Sequence, residues 1–185
     1  MNRWRRKNGR VVTVIDGQEA AVLRGLVSQM NDMYAARVEE SPQDELAELT
    51  GIRTGPSTSP DDPILSRLLP DFHRLDDDQP SKEEIESAGM LRSLHEPELI
   101  DRKTGVADLV LETCPPAGGD VRLSPEQADS WLSAINDVRL ALGTALDVTE
   151  DMPDELPDED PRSPHLAVYH WLTWVQESLV QALTE

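Results

Sequence analysis

The chain has 185 residues, with 17 Lys+Arg against 36 Asp+Glu and a formal net charge of -19 at pH 7. Such acidity argues against a body that wraps nucleic acid, whose binding draws on cations that displace counterions from phosphates, and makes a basic protein surface the more natural partner. Val, Ile, Leu and Phe supply 44 residues, above the roughly 20% level below which highly charged chains stay unfolded, so one domain with a real core is expected.

Five cations (Arg3, Arg5, Arg6, Lys7 and Arg10) stand in the first ten positions, which contain no acid. Interleaved with Trp4, they read as a basic N-terminal arm over residues 1–10, suited to phosphate, acidic protein or base stacking. Electrostatic pairing of the arm with the acidic body is an equal alternative. The apolar run VVTVI that follows is too short for a signal-peptide core. No stretch reaches the roughly 20 apolar residues of a membrane helix. Export by that route and membrane contact are not expected.

Val11 to Ile15 read as a short strand. Asp16 with Glu19 gives a capping box, and Ala20, Val22, Leu23, Leu26, Val27, Met30, Met33 and Tyr34 recur at helical spacing, so a helix is predicted from Gly17 to Glu39. A brief helix from Pro42 to Leu49 and a Gly/Pro/Ser/Thr loop follow. Pro63, capped by Asp61 or Asp62, opens another helix to Leu69. Asp76, Asp77 and Asp78 lack the alternation and glycine of a calcium loop and read as solvated charge. Ser81 with Glu84 caps the next helix, whose apolar face is Ile85, Ala88, Leu91 and Leu94. Because the residue before proline disfavours helix, a bend or fresh start is predicted at Pro97, with the helix resuming to Cys114.

After the turn at Pro115 to Gly119, Val121 to Leu123 form a second strand. Ser124 and Gln127 repeat the strand, cap and helix pattern of Ile15, Asp16 and Glu19. Two such units can pair their strands. Ala128, Trp131, Leu132, Ile135, Val138, Leu142 and Leu146 make the cleanest amphipathic stripe and anchor the core. Residues 147–161 hold eight carboxylates and three prolines and read as a linker. The final helix, residues 162–185, carries Trp171 and Trp174 on its flanks and is expected to pack back on the core. A partner-binding or dimerising tail is the alternative. The fold class is mainly α: a helical bundle over residues 11–146 with a minor pair of short β-strands.

Glycine-rich phosphate loops, dinucleotide fingerprints, nucleophile elbows and paired-histidine zinc motifs are missing. His165 and His170, five apart, point to different sides of a helix and read as ordinary histidines. Neither a cofactor nor a metal is expected. His95, Glu96, Glu98 and Asp101, with Asn136, Asp137 and Arg139, are the polar set embedded in apolar segments. Arg139 is expected to pair with a carboxylate of the Pro97 helix, as a structural ion pair or, less simply, an active site. Cys114, the single cysteine, excludes an internal disulfide, fits a reducing cytoplasm, and has no cation beside it in sequence to activate the thiol.

Four segments, DELAELTGIRTG (Asp44 to Gly55), LLPDF (Leu68 to Phe72), LRSLHEPELID (Leu91 to Asp101) and NDVRLALGTAL (Asn136 to Leu146), together with the opening RWRR, resemble an actinobacterial family of conserved domains of unknown function. That family includes the oxidative-stress transcription regulator AosR. The resemblance implies a cytoplasmic, non-catalytic regulator of transcription that engages a sigma factor and RNA polymerase. Direct DNA contact is expected at most through the arm, and a homodimer is compatible with the sequence. A redox switch by internal disulfide would need two cysteines, so with Cys114 alone only an intermolecular bond or another thiol modification is open. From a different class, an adaptor for a cytoplasmic Clp-type protease would use the same acidic surface. An enzyme built on Glu98, Asp101, Asn136 and Arg139 is the third reading.

Overall fold

In a computed structural model the chain is described at residues 1–41, 53–73, 80–153, 155–157 and 159–184. The helix predicted from Pro42 to Leu49 and the run Asp76 to Asp78 lie outside them. The elements are β1 (Arg5–Lys7), β2 (Arg10–Ile15), α1 (Gly17–Glu39), α2 (Pro63–Leu68), α3 (Lys82–Thr113), β3 (Gly119–Leu123), α4 (Pro125–Ala145) and α5 (Ser163–Thr184). They fall into two compact units, Met1–Met30 with Gly105–Glu185, and Asn31–Thr104.

The first unit is built on a three-stranded antiparallel sheet in the order β1-β2-β3. Instead of a free arm, the basic residues form a hairpin: Lys7 faces Arg10 and Arg5 faces Val12. Asn8 and Gly9 connect them with φ of 52° and 74°. An Asn-Gly pair with positive φ at both positions is the two-residue turn whose twist matches that of the strands it joins. The pairing continues past the strand proper, where Asn2 N–H donates to Val14 O at 2.7 Å. The sheet therefore has three strands where two were expected.

The two strand, cap and helix entries pair as neighbours, with Val11 opposite Leu123 and Ile15 opposite Gly119. Both caps form. Asp16 Oδ1 accepts from the N–H groups of Gln18 and Glu19 at 2.9 Å each, and Glu19 accepts from Asp16 N–H at 3.0 Å. Ser124 and Gln127 make the reciprocal pair at 3.2 and 2.8 Å. Where the turn before β3 passes the start of α1, a side chain has no room: a Cβ on Gly118 (φ +76°) would lie 2.6 Å from the carbonyl carbon of Asp16.

Leu23, Ile15, Leu123, Trp131, Ile135, Leu172 and Leu179 are fully buried in this unit. Among the described residues of 147–161 there are turns but no helix or strand. The last helix, α5, packs against α4 and against β1 and β2. Arg24 from α1 donates to Leu111 O and, at 2.7 Å, to Cys114 O, placing a cation on the unsatisfied carbonyls at the C-terminus of α3.

The second unit holds the C-terminal end of α1, the segment 53–73 with α2, and the first part of α3. Asp62 caps α2, accepting from Ile64 and Leu65 N–H at 2.9 Å. Ser81 and Glu84 cap α3. α3 runs through Pro97 as one continuous helix, so of the bend or fresh start expected there the fresh start does not occur. A helical proline deprives the carbonyl four residues earlier of its donor, and here that carbonyl, Ser93 O, accepts from Gly55 N–H at 2.7 Å. Gly55 can come that close because it has no side chain: a Cβ would meet Pro97 Cγ at 3.2 Å.

Candidate functional site

The register of the hairpin sorts the N-terminal cations by face. Side chains alternate along a strand, so Arg3, Arg5 and Lys7 share a face with Arg10, Val12 and Val14, and across β3 with Asp120 and Arg122. Together these residues line a shallow depression of about 450 Å³ on the outer side of the sheet. Five cations and one carboxylate meet there, and Asp120 pairs with Arg122 at 3.0 Å. Arg6 projects from the opposite side and is also exposed.

Trp4 is not a stacking platform. It points inward, 2% exposed, with its ring edge-to-face on Trp131 at 5.4 Å. Trp131 Nε1 donates to Thr113 Oγ1 at 2.8 Å. An alternating strand that places arginines outward at 3 and 5 must turn residue 4 toward the core, which removes Trp4 from the expected external site.

On α5, Trp174 is 39% exposed. Trp171 is half-buried, beside a small cavity of about 230 Å³ shared with Val22, Ala167 and Val168.

The polar set divides between the units. In the first, Arg139 donates to Thr173 Oγ1 at 3.0 Å and to Gln176 Oε1, and lies over the Tyr169 ring at 5.4 Å. Gln176 in turn donates to Asn136 at 3.4 Å. Arg139 thus ties α4 to α5 through neutral groups, where a carboxylate of the Pro97 helix was expected. Asp137 sits on α4 beside this set, with interactions of its own.

In the second unit His95 stacks obliquely on Phe72 at 5.8 Å, Glu98 borders the same shallow surface, and Asp101 pairs with Arg53 in solvent. The buried carboxylate is their neighbour, Glu96, which is 0% exposed. It accepts from Arg37 Nε at 2.7 Å and from Arg92. Arg37 also reaches Thr58 O, and Arg92 reaches Leu69 O at 3.3 Å and Asp71 at 2.6 Å. Burial works against the charge on Arg37, but the carboxylates of Glu96 and Glu40 outweigh it and its pKa is raised. Arg92 and Ser59 hold Asp71 below the usual carboxylate range.

This network explains why the apolar stripe assigned to the helix faces outward. The inward face of α3 is Arg92, Glu96 and Ile100, while Ile85, Leu91 and Leu94 are 53%, 38% and 45% exposed.

Among the described residues no three His, Cys, Asp or Glu side chains gather as a metal-binding set, and no helix is long and apolar enough to cross a membrane. Residues 1–183 match the family described as Domain of unknown function, DUF2017. The chain belongs to the DUF2017 family.

Curated DUF2017-like relatives are named for regulation. The Oxidative stress regulator AosR of Mycobacterium tuberculosis is 44% identical over 194 residues, covering 99% of this chain and 88% of the relative. The protein of that name in Mycobacterium bovis gives the same figures. The Putative oxidative stress regulator AosR of Mycobacterium leprae is 41% identical over 196 residues. No solved structure matches.

In this DUF2017 chain Cys114 is buried at the end of α3, 1% exposed. Burial pushes its thiol pKa up, outweighing the nearby Arg24 charge. A thiol must be both accessible and ionised to react. Alkylation of native protein is therefore expected to run at least about a hundredfold slower than in denaturant, since it waits on local opening. Mass spectrometry of timed iodoacetamide quenches measures this, and comparable rates in the two states would show that the thiol is accessible.

Proposed function

We propose that this chain is a cytoplasmic, non-catalytic regulator of a stress response that works by binding a sigma factor and RNA polymerase. Kinship carries the reading: the AosR proteins align with 99% of the chain at 44% identity, so a regulatory role transfers along the whole fold. The net charge of -19 suits a basic protein partner. Trp174, exposed on α5, is the side chain best suited to anchor such a contact, because exposed tryptophans dominate interface energetics.

The test is affinity capture of the intact tagged protein from an actinobacterial lysate. Sigma factor and polymerase subunits are the expected catch, and their yield falls as salt rises because exposed charges are screened within about 8 Å at physiological ionic strength. Trp174→Ala is expected to weaken the purified interaction by at least about tenfold, the lower range for an interface anchor. Capture of Clp-type protease subunits in place of polymerase would overturn the reading in favour of an adaptor.

A further inference from the structure

We infer that the outer face of the β1-β2-β3 sheet is a phosphate-binding surface for a nucleic-acid duplex. This rests on the regulator reading and gives it a second contact.

The face gathers Arg3, Arg5, Lys7, Arg10 and Arg122 on a chain whose net charge is -19. Lys7 sits directly opposite Arg10, and Arg5 and Arg122 flank Val12 on either side. Like charges facing each other across a sheet are destabilising, and a surface kept for solubility alone intersperses its signs. Arg3, Arg5 and Lys7 make no ion pair among the described residues. Asp120 is paired with Arg122, and Glu126 feels Arg10. The face therefore keeps a positive excess that folding does not use.

The arrangement suits phosphates better than an acidic peptide. Alternate residues of a strand are about 6.7 Å apart on one face, so Arg3, Arg5 and Lys7 form a row at close to the spacing of successive phosphates along a nucleic-acid strand. Four of the five cations are arginines, whose planar fork matches phosphate oxygens in pairs. With Trp4 turned into the core, the face offers no aromatic ring for base stacking, and its cations suit backbone phosphates, contacts that carry no sequence information. The acidic remainder does not forbid it, because its repulsion is screened beyond about 8 Å at physiological ionic strength.

The experiment is fluorescence anisotropy of the full chain with a labelled random-sequence 20-base-pair duplex, across salt. Four phosphate contacts give a slope of log affinity against log salt near -3.6, or about a hundredfold loss between 50 and 200 mM. Arg5→Ala combined with Arg122→Ala is expected to weaken binding at least tenfold at 50 mM and to halve the slope, with the thermal melt unchanged. Lys82→Ala, an exposed cation on α3, leaves both as they were.

No duplex binding by the unmodified chain at 50 mM salt, or binding indifferent to the Arg5 and Arg122 change, overturns the inference. So does binding of poly-glutamate through this face without binding of duplex, which would assign it to an acidic protein segment. Polymerase capture by the same double variant reports on the regulator reading separately. Capture retained while duplex binding is lost supports the sheet face as a distinct contact.

Discussion

Glu96→Ala should destabilise the second unit by about 3–5 kcal/mol, because removing the central carboxylate of a buried ion network leaves two buried guanidiniums with only their outer partners, Glu40 for Arg37 and Asp71 for Arg92. Two guanidiniums depend on that carboxylate: Arg37 and Arg92 are 2% and 3% exposed, and both donate to Glu96. In urea this corresponds to a fall of about 2 M in the midpoint, at a slope of about 2 kcal/mol/M. Glu96→Gln keeps the shape and an acceptor but not the charge, and should fall between. Replacing Arg37, Arg92 and Glu96 together with Met, Met and Leu should recover part of the loss, since apolar packing can substitute for a buried ion pair. Recovery stays incomplete because Thr58 O and Leu69 O lose their arginine donors. Urea melts of the four proteins check the order, and a Glu96→Ala midpoint equal to that of the unmodified chain would remove the network from any structural account.

Trp4→Ala should cost a comparable amount, about 3–5 kcal/mol, as expected for emptying a fully buried tryptophan site. The edge-to-face contact with Trp131 at 5.4 Å adds to the loss, aromatic pairs of this geometry contributing about 0.5–1.5 kcal/mol beyond burial. Trp4→Phe keeps a ring on Trp131 and should cost less. Near-ultraviolet circular dichroism and urea melts measure both; a Trp4→Ala protein with unchanged stability would mean that residues 1–10 are an appendage after all. By the same argument, deleting the first ten residues removes β1, uncovers Trp131 and leaves β2 as an unpaired edge, a template for aggregation. Such a truncation disturbs the sheet that presents the N-terminal charges, so those charges are tested by point substitution.

Much of this fold was legible because its signals are local. The caps at Asp16, Asp62, Ser81 and Ser124 each rest on a side chain two or three residues from its amide, and all four form. The stripe from Ala128 to Leu146 reports the buried side of α4 because one face of that helix is apolar throughout. β1 escaped notice although Asn8-Gly9 is a strong hairpin signal, since five cations in ten residues look like a solvated arm and only the register reveals that Trp4 faces inward. Glu96 does not stand out in the sequence from His95, Glu98 and Asp101, because the depth of a helical position depends on what packs on it. The partners of Glu96 lie 59 residues upstream and four residues upstream, and only the nearer is a pattern a sequence displays. The apolar run Ile85, Leu91 and Leu94 pointed to the wrong face for the same reason.

The unbroken passage of α3 through Pro97 carries a consequence for folding order. The donor that satisfies Ser93 O comes from Gly55, so the helix cannot close its own ladder while the loop is undocked, and the loop has no anchor there until the helix exists. Nucleation of either alone leaves a bond unmade at the proline. The middle of α3 and the backbone around Gly55 must therefore be won or lost together, as one cooperative step joining two stretches of chain that are remote in synthesis.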